Sequence, residues 1–321
     1  MIRIAALAFA LCCGAAAAQT YPSKPIRLIV PSGAGGAYDV IARAMLPYLY
    51  EDLGQTMVIE NRTGAGGIIG LEFVARAEPD GYTLLQGGIS QLVLNPLFVG
   101  KVPYDPMKDF THIAMMGELV MGLYVHQSMG VGDMKGLIDY AKANPGKVAY
   151  GSSGVGQSFH LAGEMLKLRT GTDLVHVPYK GTAQALQDFF AGRLMMMFYP
   201  PNNVIMDRIK QGNIRPVAAM SEKRLANLPD VPTMEEVGVG NLGVSGWGGF
   251  AGPAKMPRPI VTRLNQAFNK AASRPEMDKQ FQLMTMVPIH MTPEQTSEKI
   301  RRDIEFWTTM VTKLGLKGSG G

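Results

Sequence analysis

The chain has 321 residues, enough for one large or two ordinary domains, with 46% hydrophobic and 18% charged residues, the balance of a globular protein with a sizeable core. A net charge of +5 without any Lys/Arg run interleaved with aromatics argues against a nucleic-acid partner. Both cysteines, Cys12 and Cys13, lie near the N-terminus, so the rest of the chain has no thiol for a disulfide, a zinc site or nucleophilic catalysis.

Residues 1–18 have the pattern of a secretory signal: Arg3, an apolar stretch from Ile4 to Cys13, then Ala16-Ala17-Ala18 before Gln19. Cleavage near Ala18 and a periplasmic location are expected. Ile26 to Val30 is a β-branched run read as a buried strand. Ser32, Gly33, Ala34, Gly35 and Gly36 follow as a loop. Val40, Ile41, Ala44, Met45, Tyr48 and Leu49 then form the stripe of an amphipathic helix, with Tyr38 and Asp39 in its first turn. Strand, glycine loop and helix direct unpaired N–H groups and the positive end of a helix dipole at one spot, which favours an anion. Pro47 predicts a kink in the helix.

The unit recurs at Met57 to Ala77, around Gly64-Ala65-Gly66-Gly67. A third strand, Tyr82 to Gln86, is expected to end in a small-residue loop containing Gly88 and Ser90. The βαβαβ order predicts a parallel sheet with helices on both faces and ligands beyond the strands' carboxyl ends. Ile113 to Val125 crosses to a second set of alternating helices and strands, and Val244 to Gly252 returns as a strand. Helices over 259–272 and 293–314 finish the chain. The expected fold is thus α/β with two lobes, 19–120 plus 248–321 and 121–247, hinged about a cleft.

In the second lobe, Gly151 to Ser158 (GSSGVGQS) matches a phosphate loop except that Gln157 replaces the lysine. Without that lysine, the loop offers backbone N–H groups of Gly154 and Gly156 with the hydroxyls of Ser152, Ser153 and Ser158, a set suited to a carboxylate. His160 lies beside it and is read first as a structural hydrogen-bonding residue. Asp39 is equally well explained by complementing its helix dipole. There is no G-x-S-x-G elbow and no H-E-x-x-H, so neither a serine hydrolase nor a metallohydrolase is supported.

Taken together, Val30 to Arg43, Glu60-Asn61-Arg62, Pro79-Asp80-Gly81-Tyr82, Gly151 to Ala162, His176 to Gly181 and Leu228 to Thr233 resemble, in order, the Bug family of solute-binding proteins of tripartite tricarboxylate transporters. The resemblance implies a periplasmic binding protein of the Venus-flytrap, type II-like kind. It would be non-enzymatic, without cofactor or metal, acting as a monomer that hands a carboxylate to membrane permease subunits. A sensor docking on a histidine kinase is the alternative. The resemblance implies ligand contacts through the loops equivalent to 32–38 and 151–158, here Ser32, Gly33, Ala34, Gly35, Gly36, Tyr38, Ser152, Ser153, Gly154, Gly156 and Ser158; the adjoining helix-start residues Asp39 and His160 and the strand-end residues Gly88, Ser90 and Tyr199 complete the candidate ligand-binding set. This sequence departs from the family at Ser32-Gly33, where an aromatic-proline pair is usual, and at Tyr199, where an aspartate is usual. An aromatic at the cleft in place of an acid points to an aromatic or dicarboxylic acid.

Overall fold

The computed structural model describes residues 21–99, 101–152, 154–179, 182–221, 223–225, 227–240, 242, 244, 246–313 and 315; the expected signal segment and Ser153 lie outside them. The apolar run Ile26–Val30 forms β1, buried except at Arg27. It pairs in parallel with β2 (Met57–Asn61) on one side and β3 (Thr83–Gly88) on the other. β4 (Phe110–Leu119) belongs to the same sheet, and β5 (Gly122–His126) opens a second, so the chain crosses between sheets at Val120 and Met121. The second sheet adds β6 (Val148–Ser152), β7 (Leu174–Pro178), β8 (Met196–Tyr199) and β9 (Ile214–Ala219) in the order β7-β6-β8-β5-β9. β10 (Gly246–Pro253) returns antiparallel between β3 and β4, and β11 (Met286–Pro288) closes the edge, giving β11-β4-β10-β3-β1-β2.

The helices are α1 (Ala37–Leu53), α2 (Ile68–Ala75), α3 (Asn95–Phe98), α4 (Met134–Ala143), α5 (Ser158–Thr170), α6 (Thr182–Phe190), α7 (Asn203–Lys210), α8 (Arg258–Ala272), α9 (Pro275–Leu283) and α10 (Pro293–Lys313). Strand alternation divides the first sheet between two cores. Ile26, Leu28 and Val30 pack with Ile41, Met45 and Leu49 of α1 and with Leu264 of α8. Phe250 stacks on Phe268 there, ring centroids 3.8 Å apart. Ile29 faces the other way, toward Leu71, Trp247 and Trp307, in a cluster that also takes in Leu123, Val125 and Leu161 of the second sheet's layer. The indole of Trp247 donates to Asp303 at 2.6 Å.

One expectation is corrected, and two features add to the sequence reading. α1 continues as one helix through Pro47, its apolar face packed on both sides of the proline at Met45 and Leu49. β3 continues through Gly88, and the helical turn Ser90–Leu94 follows it directly; the anticipated small-residue loop is instead buried strand, pairing Gly88 with Gly248. Finally, α9 and β11 fill a stretch that carried no sequence assignment.

His112 on β4 is 4% exposed, with Nε2 3.1 Å from the Pro106 carbonyl and Nδ1 3.0 Å from Ser297 Oγ. Burial pushes its pKa down to about 4 against the partial help of the Pro106 carbonyl. The unfolded chain therefore takes up this proton first as pH falls from about 6.5. The stabilisation is present above that value and is lost on the way down to 4, at up to about 1.4 kcal/mol per pH unit. Urea midpoints measured between pH 7 and 4 should fall accordingly, and His112→Gln should flatten the fall; an unchanged slope in the variant contradicts this origin.

Candidate functional site

The first glycine loop is built by Asp39. This carboxylate, 1% exposed, accepts from Arg43 Nε at 2.9 Å and Nη2 at 3.0 Å, from the Gly35 N–H at 2.9 Å and from Asn61 Nδ2 at 2.9 Å. Four donors fill the acceptor positions a carboxylate has, so Asp39 shapes the loop and has no position left for a ligand. Burial opposes its charge, yet hydrogen bonds from Arg43, Gly35 and Asn61 outweigh it and hold its pKa below the ordinary value. Asn61 also donates to the Ser32 carbonyl at 3.0 Å and accepts from Arg43 at 2.7 Å. The end of β2 is thereby laced to the loop after β1.

Sequence reasoning missed the roles of Arg43 and Asn61. The signal was present in the Glu60-Asn61-Arg62 motif directly after an apolar strand. Its flanking members brace the sheet instead: Glu60 accepts from Arg27 at 2.7 Å and from Arg62, whose guanidinium lies 3.6 Å from the Phe73 ring centroid.

What the loop leaves open is the start of α1. Its ladder begins with Val40 N–H to the Gly36 carbonyl at 2.9 Å, so the N–H groups of Ala37, Tyr38 and Asp39 fall outside it. Gly36, at the cap position, has no side chain to serve them. The second loop repeats this. The ladder of α5 begins at Leu161 N–H to the Gln157 carbonyl, 3.0 Å, and Gln157 makes no capping bond. Ser158, Phe159 and His160 therefore present first-turn N–H groups. By contrast α4 and α7 are capped, Asp133 accepting from Gly136 N–H at 2.7 Å and Asn202 from Ile205 N–H at 3.1 Å.

The glycines of the second loop are not bare. Gly154 N–H donates to Ser152 Oγ at 3.0 Å, and Gly156 N–H to His160 Nδ1 at 3.0 Å. Ser152 and His160 are buried beneath the loop. Gly156 leans on α3: a Cβ there would lie 3.2 Å from Phe98 Cδ1. Gly88 is buried in β3, donates its N–H to Gln91 Oε1 at 3.2 Å and leaves no room for a side chain, since a Cβ would be 2.6 Å from the Trp247 carbonyl oxygen. Ser90 opens the helical turn that follows. Tyr38 lays its ring over Gly248, where a Cβ would be 2.5 Å from Cδ1; burial, then the Glu118 carboxylate, push its hydroxyl pKa up. Tyr199, half-buried at the end of β8, has its ring 5.8 Å from that of Phe159, and burial raises its pKa.

A groove of about 2110 Å³ lies elsewhere, bordered by residues such as Glu118, Asn202, Lys223, Val287 and Arg302. None of the sequence-derived residues lines it, and it is larger than the roughly 300–1,000 Å³ that encloses a small ligand. The two uncapped helix starts are therefore the stronger candidate. Among the described residues, no group of three or more His, Cys, Asp or Glu could hold a metal ion, and no helix is long and apolar enough to cross a membrane.

Residues 41–316 match the family described as TctC, tripartite tricarboxylate transporter family receptor. Protein BugT of Bordetella pertussis (strain Tohama I) is 34% identical over 305 residues, which cover 94% of this chain and 92% of BugT. Among solved structures, the periplasmic binding protein BugD is 31% identical with a TM-score of 0.72, over 92% of this chain and 99% of that one. Rpa4515 of R. palustris, solved with adipate, is 30% identical with a TM-score of 0.75, over 92% and 98%. The family and these neighbours are binding proteins, not enzymes, and the two-sheet α/β architecture matches theirs.

Proposed function

The chain belongs to the tripartite tricarboxylate transporter receptor family, and from that premise we propose that it captures a small carboxylate in the periplasm and delivers it to the membrane subunits of such a transporter. The lobes would be 19–120 plus 248–321 and 121–247, with the leader removed near Ala18. The observation that carries this reading is the pair of helix starts, α1 and α5, each following a glycine loop and each lacking a side-chain cap. A carboxylate supplies the acceptors these first-turn N–H groups lack, and the helix dipoles favour its charge. Charge-assisted hydrogen bonds of this kind contribute about 1.5–3 kcal/mol each.

We further infer that the ligand is a dicarboxylic or aromatic acid rather than an amino acid. Asp39, the acid at the first loop, already has four donors, and the position at the end of β8 carries Tyr199 beside Phe159. An ammonium group would meet rings instead of a carboxylate, whereas an apolar chain or ring fits them. A thermal-shift screen should show adipate or benzoate raising the melting temperature by about 5 °C at a hundredfold excess over Kd, with glutamate and alanine inert. Binding confined to the amino acids would overturn the ligand class, and no response to any carboxylate would overturn the capture.

A further inference from the structure

We propose that His160 and His176 are paired positioning residues that set the shape of the second glycine loop, His160 holding the Gly156 N–H directly and His176 holding the Gly154 N–H through Ser152, so that a carboxylate is met by the first turn of α5 and not by Gly154 or Gly156. The inference rests on the carboxylate-capture reading for its ligand and on the loop's own hydrogen bonds for its mechanism.

Gly154 and Gly156 have φ of +132° and +79°, a region that glycine enters freely but is not confined to. Hydrogen-bond partners select the conformation. Gly156 N–H donates to His160 Nδ1, which requires that nitrogen to be unprotonated and places the ring's proton on Nε2. Gly154 N–H donates to Ser152 Oγ, and that oxygen lies 2.6 Å from His176 Nε2. The two imidazoles lie tilted by 36° with centroids 4.1 Å apart, a separation at which two positive rings would repel.

Their surroundings supply no charge that singles out either ring. From β6, Tyr150 packs 5.2 Å from His176 and donates to the His160 carbonyl at 3.2 Å and to Glu164 Oε1 at 3.0 Å. From α5, Glu164 is also paired with Lys167 at 3.1 Å. Burial comes first among the causes that lower both imidazoles, to about 4 for His176, whose neighbour His160 adds to the effect. Both rings are thus neutral at pH 7, and the N–H groups of Ser158, Phe159 and His160 with the Ser158 hydroxyl remain for the ligand.

Imidazole ¹H–¹⁵N spectra of the unliganded protein at pH 7 should show His160 neutral with Nδ1 bare; a protonated Nδ1 overturns the assignment whatever the protein binds. Calorimetry with adipate and benzoate then tests the role. His160→Phe keeps a ring but removes the acceptor, and should weaken binding about tenfold, while His160→Asn, which restores an acceptor, should lose less than about threefold. His176→Phe against His176→Gln should follow the same order. A merely space-filling role gives the reverse order, and that result would refute the proposal. Should the wild-type protein bind neither acid, the capture reading falls, while the spectra still decide how the loop is held.

Discussion

Asp39→Ala should lower stability by about 1–3 kcal/mol and abolish carboxylate binding. The loss comes less from Arg43, which at 45% side-chain exposure rehydrates cheaply, than from the part-buried network that loses its centre. The Gly35 N–H loses its acceptor, and Asn61 Nδ2 keeps only the Ser32 carbonyl. With those bonds goes the lacing that places Ser32 to Gly36 beside the start of α1. Asp39→Asn should do little better, because one of its two terminal atoms becomes a donor facing other donors. The sign of the pH dependence follows from the lowered pKa: the contribution of Asp39 is complete above the unfolded value near 3.8 and is lost as pH falls through the lower folded one. Urea denaturation from pH 7 to 2 should show this component in the wild type and not in Asp39→Ala. A variant that melts like the wild type and still binds would sink the account of the loop.

Gly88→Ala is expected to cost about 3 kcal/mol or more. The obstacle is backbone: the new Cβ would stand 2.6 Å from the carbonyl oxygen of Trp247. That oxygen belongs to β10, which β4 pins from its other side. Gly33→Ala is the contrast. Nothing lies within 4 Å of its Cβ position and its φ is not positive, so stability should change by less than about 0.5 kcal/mol. Gly35→Ala sits between them, open in space but at φ +87°, and should cost about 1 kcal/mol. Equilibrium unfolding of the three proteins gives the ranking directly. Equal losses at Gly33 and Gly88 would mean that the close approach of β3 and β10 has been misjudged.

The same glycines mark where sequence pattern was informative and where it failed. At 26–45 an apolar run, a glycine loop and a helical stripe agree on one local structure, and β1 and α1 form as those signals specify. At 87–90 the small residues fit either a turn or a strand crowded by a neighbour. The neighbour, Trp247, lies far along the chain, so no local signal could decide between them. Asp39 shows the same limit: its place in the first turn of a helix is legible, but its partner Asn61 lies 22 residues away and is brought near by β1–β2 pairing. Likewise His160 was legible beside its loop, whereas His176 enters through the pairing of β6 with β7. Helix α1 continues past Pro47, with packing at Met45 and Leu49 on either side of it.

The lacing of Asn61 and Asp39 to the loop after β1 has a thermodynamic corollary. Ordering a free backbone residue costs about 1–2 kcal/mol in conformational entropy, and for Ser32 to Gly36 that cost is incurred when the chain folds, because the network is complete without any guest. An arriving anion thus finds a preorganised cradle, and more of its contact enthalpy survives as affinity.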